Sequence, residues 1–358
     1  MNYEKLKSFY SGKRVFVTGH TGFKGSWLCV ILKMLGAEVY GYSLKPNTDP
    51  DLFDILGIAG DIHYTIGDIR DMAALKKAYK EANPDVVLHL AAQPIVRDSY
   101  KEPRYTYETN VMGTVNILEC LRKHPGAISF LNVTTDKVYE NNDLENHGFK
   151  EDEKLDGYDP YSNSKSCSEL VTHSYKKSFF LEADSPAIST ARAGNVIGGG
   201  DFANDRIVPD CVRATVKGES IIVRNPYSTR PYQHVLEPLA AYLMIAMEQA
   251  ADKKYADYYN IGPRDEDCIN TGILADTFIK YWGEPANWKN MSEVNAPHEA
   301  SFLKLDCSKA RETFGWEPVW NVDSAIRETV VWYKAWNEGE NMREFTEKQV
   351  REFFKYIF

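Results

Sequence analysis

The chain has 358 residues, 43% of them hydrophobic and 26% charged, which exceeds one hydrophobic core of usual size and predicts a large α/β domain with a smaller appended lobe. A formal net charge of -9 disfavours non-specific nucleic-acid binding, which depends on clustered Lys and Arg releasing counterions from phosphates. The six cysteines lie far apart with no C-x-x-C pair, so no metal and no disulfide framework is expected; a polar N-terminus and the lack of a membrane-length apolar run predict a protein that stays in a reducing cytoplasm.

From Arg14 onward short apolar runs alternate with longer amphipathic segments, an order that predicts a doubly wound parallel sheet covered on both faces. Strands are expected at residues 14–17, 39–42, 63–66, 86–90, 129–133 and 187–191, with helices in most gaps. Two long helices, 105–122 and 161–179, flank the fifth strand. After about Asn195 the alternation breaks into shorter elements punctuated by Gly198-Gly199-Gly200 and several prolines. Residues 1–194 therefore read as one domain and 195–358 mainly as a second lobe, with 233–236 and 258–261 as candidates for return to the main sheet.

The first strand runs into Thr18-Gly19-His20-Thr21-Gly22-Phe23-Lys24-Gly25 and then into a helical pattern from Ser26. Strand, glycine turn and helix start occur in the order a pyrophosphate needs, because backbone must approach it closely and a helix N-terminus must offer free N–H groups. Gly19, Thr21, Gly22, Phe23 and Gly25 are accordingly assigned to a dinucleotide, against the alternative of a tight turn using glycine for positive φ. The second strand ends Tyr40-Gly41-Tyr42-Ser43-Leu44-Lys45, without an acid for a ribose 2′-hydroxyl, so residue chemistry leaves NAD and NADP both open. Asp68 and Ile69 follow the third strand; Asp68 reads either as an adenine-side contact or as an N-cap for the segment from Asp71.

Tyr161 and Lys165 are four residues apart, one turn along a helix face, so an ammonium can stabilise a phenolate. In a chain with 22 tyrosines that spacing is cheap, and its place gives it weight: it opens the helix after the strand ending Asn132-Val133-Thr134-Thr135-Asp136. Thr135 is expected to share a substrate hydroxyl with Tyr161 at the C-terminal edge of the sheet, where this architecture binds ligands.

Together with His89-Leu90-Ala91-Ala92, Asn110 and Arg192-Ala193-Gly194-Asn195-Val196, these motifs make the sequence resemble the extended short-chain dehydrogenase/reductase family over nearly its whole length. The resemblance implies a Rossmann sheet with a smaller C-terminal α/β substrate-binding lobe. It also implies NAD contacts from Leu90, Ala91, Ala92, Tyr161 and Lys165, and pairing of the two long helices in a homodimer or a dimer of dimers.

Thr135-Asp136-Lys137 looks like the dehydratase version of the motif, with Lys137 where a Glu is usual in thymidine-linked sugar dehydratases. Residues 19–28, 198–201 and 230–239 resemble instead the CDP-hexose 4,6-dehydratases. The implied substrate is CDP-glucose, with NAD tightly bound and regenerated each turnover. In the implied reaction Tyr161 takes the C4 hydroxyl proton as hydride leaves C4. A base then removes H5 while Asp136 protonates the departing C6 hydroxyl, and hydride returns to C6. Lys137 reads as that base, as a charged stabiliser of the enolate, or as a structural ion pair. Arg206, Arg213 and Arg230 are candidates for the diphosphate, Asn195 matches a family position touching it, and His298 is a weaker candidate. A 4-epimerase or reductase of the same fold and a non-catalytic nicotinamide-sensing protein are the competing readings. Asp136 argues against the first and the Tyr161/Lys165 pair against the second.

Overall fold

The computed structural model describes residues 3–142, 147–291 and 302–356. Seven parallel strands form the central sheet: β1 (Arg14–Thr18), β2 (Glu38–Ser43), β3 (His63–Ile66), β4 (Val86–His89), β5 (Ser129–Thr135), β6 (Ala187–Ala193) and β7 (Tyr258–Ile261), in the spatial order 3-2-1-4-5-6-7. Strands β4, β5 and β6 are buried along their entire length, as strands covered on both faces must be. The order reverses between β1 and β4, and such a reversal opens a crevice beyond the strands' carboxyl ends.

β5 and β6 each run two residues past their predicted ends, pairing Thr134 with Arg192 and Thr135 with Ala193. Polarity masks this extension in the sequence. Arg192 is wholly buried because Glu169, also wholly buried, meets it at 3.1 Å. Residues 258–261 do return to the sheet, as β7 beside β6. Gln233–His234 does not; it pairs with Val196–Ile197 in a separate two-stranded ladder.

Four helices position the site: α1 (Phe23–Met34), α2 (Gly113–Lys123), α3 (Pro160–Phe179) and α4 (Leu236–Ala251). The helix predicted at 105–122 is interrupted, with a π-helical turn at Glu108–Met112 joining Pro103–Tyr107 to α2. That turn directs Asn110, whose side chain bonds both main-chain groups of Gln93 and the Ser164 hydroxyl, tying the loop after β4 to α3. α4 is apolar on nearly every side and buried accordingly; Gln249 near its end donates to Ser129 Oγ and the Phe130 carbonyl, fastening it to β5. Among the described residues no helix is long and apolar enough to cross a membrane, and no group of three or more His, Cys, Asp or Glu could hold a metal.

Candidate active site

The glycine loop leaves β1 and enters α1, and its glycines have different physical reasons. Gly19 has φ +78°, and a Cβ there would lie 2.8 Å from the Ala91 amide nitrogen. A Cβ on Gly25 would lie 2.1 Å from the Gly19 carbonyl oxygen. Both are demanded by the protein's own packing. Gly22 is not: φ is -75° and the nearest atom to an added Cβ is 3.5 Å away, so the space beside it is open. Gly22 is also the N-cap of α1 and no side chain caps that helix, whereas α3 is capped by Asp159 and the helix Met72–Ala82 by Asp71. Open space beside uncapped N–H groups fits a dinucleotide pyrophosphate.

Side chains hold this cradle in place. Thr18 Oγ accepts the Leu90 and Ala91 N–H groups, each at 3.1 Å, drawing the Leu90-Ala91-Ala92 segment over the loop. Thr21 Oγ donates to the Leu44 carbonyl at 2.9 Å, tying the loop to the end of β2. Phe23 is half-buried against Gly198. Asp68 is engaged by Arg70, whose guanidinium holds the carboxyl below its usual range. The N-cap role weighed for Asp68 falls to Asp71, whose carboxylate accepts from Ala73 and Ala74. The Ile69 side chain is buried against Gly113.

On the other side of the crevice, Asp159 caps α3 and Pro160 occupies its first turn, which sets the phase of the helix. Tyr161 and Lys165 then share a face. Lys165 is buried and donates to the Val133 carbonyl at 3.1 Å; burial pushes its ammonium down to about 8, opposed by Glu169 one turn further on. Burial would raise Glu169, but Arg192 and hydrogen bonds from His173 and Thr134 hold its carboxyl below the usual range. Burial pushes the Tyr161 phenol up to about 12; the Thr135 hydroxyl and Arg206 oppose that rise and Asp136 adds to it. Thr135 and Arg206 favour phenolate here, and burial outweighs them.

Thr135, at the end of β5, donates to Asp136 Oδ1 at 2.9 Å and accepts the Lys137 N–H at 3.4 Å. Asp136 is 1% exposed, and among the described residues its Oδ2 has no hydrogen-bond partner. That oxygen faces Gly194, where a Cβ would stand 2.4 Å from it. Lys137 Nζ lies 4.0 Å from Asp136 Oδ1 with one-fifth of its side chain exposed, a loose approach rather than a closed ion pair. Asp136, Lys137, Ser162 and the buried Arg230 line one cleft.

Arg206 pairs with Asp201 at 2.8 Å and acts electrostatically on Tyr161. Arg213 donates to the carbonyls of Phe202 and Ala203 and pairs with Asp210, so it fastens the segment beside Arg206. Asn195 Oδ1 is buried without a partner among the described residues. His298 lies outside the described residues. Two further residues belong to the site. Gly194 makes room for Asp136, and Lys24 is pushed down to about 7 by burial and by Arg206 and Lys165, with Asp136 opposing. Lys24 occupies a variable position of the glycine motif, and the motif carries no signal for it.

The family model described as GDP-mannose 4,6 dehydratase matches residues 16–329. CDP-glucose 4,6-dehydratase of Salmonella typhimurium is 46% identical over 352 residues, covering 97% of this chain and 98% of that protein. A probable dTDP-glucose 4,6-dehydratase of Sinorhizobium fredii is 28% identical, covering 87% and 90% respectively. Among solved structures, dTDP-glucose 4,6-dehydratase of Bacillus anthracis in complex with NAD aligns with a TM-score of 0.75 at 21% identity, covering 93% of this chain and 99% of that one, a likeness of fold. By a match that spans most of its length, and with the sheet order and motifs described above, the chain belongs to the GDP-mannose 4,6 dehydratase family within the extended short-chain dehydrogenases/reductases.

Proposed function

We propose that this protein is an NAD-dependent CDP-glucose 4,6-dehydratase, which converts CDP-D-glucose into CDP-4-keto-6-deoxy-D-glucose and water. The observation that carries the dehydration is the buried Asp136 carboxylate, with one oxygen on Thr135 and the other without a partner among the described residues, beside the Tyr161 phenol. The nucleotide rests on the 46% identity to the Salmonella enzyme over nearly the whole of both chains.

Gly19, Thr21, Gly22, Phe23 and Gly25, with Asp68, Ile69 and the Leu90-Ala91-Ala92 segment, would hold the cofactor. Bound there, NAD would supply the hydride acceptor for C4, the hydride donor for C6 and the positive charge of its oxidised ring. Tyr161 removes the C4 hydroxyl proton, with Thr135 sharing that hydroxyl and Lys165 fixed beneath by Val133. Oxidation at C4 makes H5 acidic; Lys137 takes H5 while Asp136 gives a proton to the departing C6 hydroxyl, and Lys137 returns a proton to C5 as hydride reaches C6. Arg206, Arg230 and Asn195 face the diphosphate, and Arg213 supports them through Phe202 and Ala203. An epimerase has no use for an acid at C6, and Asp136 is that acid.

Residues 1–194 carry the cofactor and catalytic groups, and 195–358 mainly the substrate side, while α4 and β7 serve the sheet. Exposed Met112, Leu170 and Phe179 on the two long helical segments suit pairing of two copies, as a homodimer or a dimer of dimers in the cytoplasm.

Incubation with CDP-glucose in deuterated water is expected to yield a 6-deoxy-4-keto product carrying deuterium at C5. Product unlabelled at C5 overturns the elimination. In parallel, water loss read by mass spectrometry across CDP-, UDP-, GDP- and dTDP-glucose should be fastest for CDP-glucose, and a faster partner would reassign the nucleotide.

A further inference from the structure

The two carboxyl oxygens of Asp136 stand in different surroundings. Oδ1 accepts the Thr135 hydroxyl at 2.9 Å, and Lys137 Nζ approaches the same oxygen at 4.0 Å. Oδ2 has no hydrogen-bond partner among the described residues. It rests against Gly194: a Cβ there would stand 2.4 Å from Oδ2, 2.9 Å from Cγ of the same carboxyl and 2.7 Å from Cγ of Pro231. Strand pairing sets this contact, because Thr135 and Ala193 face each other at the ends of β5 and β6 and the residues that follow, Asp136 and Gly194, meet just beyond. Pro231, which is buried, is held there by main chain: the Gln233 N–H donates to the Asn195 carbonyl at 3.1 Å and the Val235 N–H to the Ile197 carbonyl at 2.8 Å. Nothing in the backbone asks for glycine at 194. Its φ lies outside the left-handed region, unlike that of Gly19 at +78°, and the three atoms nearest an added Cβ all belong to Asp136 and Pro231. A methyl group at 194 would be absorbed by the softest neighbour, the carboxyl, which turns about its side-chain torsions more readily than a proline ring or a strand moves.

Resting on the dehydratase reading above, we infer that Gly194 is a positioning residue for the elimination: by lacking a Cβ it keeps Asp136 Oδ1 on Thr135 and leaves Oδ2 as the oxygen that hands a proton to the C6 hydroxyl. In that step the C5–H bond breaks, its proton goes to Lys137 and its electron pair becomes the second bond between C5 and C6. The C6–O bond breaks with its pair on oxygen. The Asp136 Oδ2–H bond breaks as a new O–H bond forms on that oxygen, which leaves as water. Asp136 ends the step as carboxylate and regains its proton from water between turnovers. An alanine methyl at 194 turns the carboxyl and moves the Oδ2–H away from C6. Oxidation at C4 and removal of H5 draw on Tyr161 and Lys137 and do not involve Oδ2.

The test follows Gly194→Ala after rapid mixing with NAD and CDP-glucose in deuterated water. Oxidation is read by the rise of reduced nicotinamide, exchange at C5 by deuterium in hexose that keeps its 6-hydroxyl, and elimination by loss of water in mass spectrometry. Elimination should slow by about 100-fold, as when a general acid is misplaced, while oxidation and C5 exchange persist and reduced nicotinamide accumulates. In an Asp136→Ala background, where the new methyl meets no carboxyl, the same substitution should slow elimination no further. Elimination that is unchanged, or slowed only as much as oxidation, overturns the inference, and so does an effect that multiplies onto that of Asp136→Ala. If Gly194→Ala does not fold, Gly194→Ala/Pro231→Ala removes the second close contact and is judged by the same outcomes against Pro231→Ala alone. A wild-type protein that yields no 6-deoxy-4-keto sugar is a separate result; it removes the dehydratase reading, and the role of Gly194 falls with it.

Discussion

Along the C-terminal edge of the sheet, the β1–α1 turn and the corner between β5 and α3 are built from opposite materials. The first is backbone: Gly19 and Gly25 are glycine because neighbouring main chain leaves no room for a Cβ, and the ligand-facing surface is a set of uncapped N–H groups beside Gly22. The second is side chain: Thr135, Asp136, Tyr161 and Lys165 are polar groups buried or half-buried at strand and helix ends, with Asp136 Oδ2 left without a partner among the described residues. A backbone site fails by steric change, which the fold feels. A side-chain site of this kind fails chemically while the fold persists.

Four substitutions sharpen or break that contrast. The largest effect is expected from Tyr161→Phe, which should lower kcat by about 1,000-fold with little change in melting temperature; comparable losses in both would place the phenol among the structural groups. Gly25→Val should be the reverse. A side chain driven into the Gly19 carbonyl should cost about 3 kcal/mol of stability, read by denaturant unfolding, and an unaltered midpoint would contradict the close approach. Gly22→Ala separates ligand from fold within the same loop: its Cβ meets no close protein atom, so stability should change by less than about 1 kcal/mol while NAD binding weakens by about tenfold. Equal binding by titration calorimetry would remove Gly22 from the cofactor site.

The smallest effect concerns pH. Burial holds Lys165 at about 8 against an ordinary 10.5, so between those values the unfolded chain binds more protons than the folded one. Stability should therefore gain from this group as pH rises through that window, and the gain is lost as pH falls back through about 8. Lys165→Met should flatten that part of the profile in unfolding experiments; an unchanged slope would mean that the ammonium is not desolvated.

The strand cores were legible because buried parallel strands need near-continuous apolar runs, and β3 begins and ends where its pattern does. The last residues of β5 and β6 were not, because Thr134 and Arg192 read as polar until Glu169, from a helix between the two strands in sequence, is brought beside them. Likewise Tyr161 and Lys165 were legible as a pair four residues apart, while the distribution of charge around them was not. Lys165 spends its hydrogen bond on Val133, and the phenol's neighbours are Thr135 and Arg206. Gly194 meets Asp136 more than 50 residues away along the chain, and Lys24 feels Asp136, Lys165 and Arg206, each more than 100 residues away.

By itself the sequence determined what local chemistry can dictate. The glycine spacing set the turn into α1, Asp159 and Pro160 set the start of α3, and the helical period put Tyr161 and Lys165 on one face. Only the tertiary structure decided which groups act on one another's charge: β5 pairing with β6 sets Asp136 against Gly194, and packing of α3 on β5 brings Tyr161 under the influence of Thr135. The reason is physical. Backbone conformation and helix caps act over a few residues, whereas burial, electrostatics and hydrogen bonds between distant residues depend on distances in space that no spacing along the chain encodes.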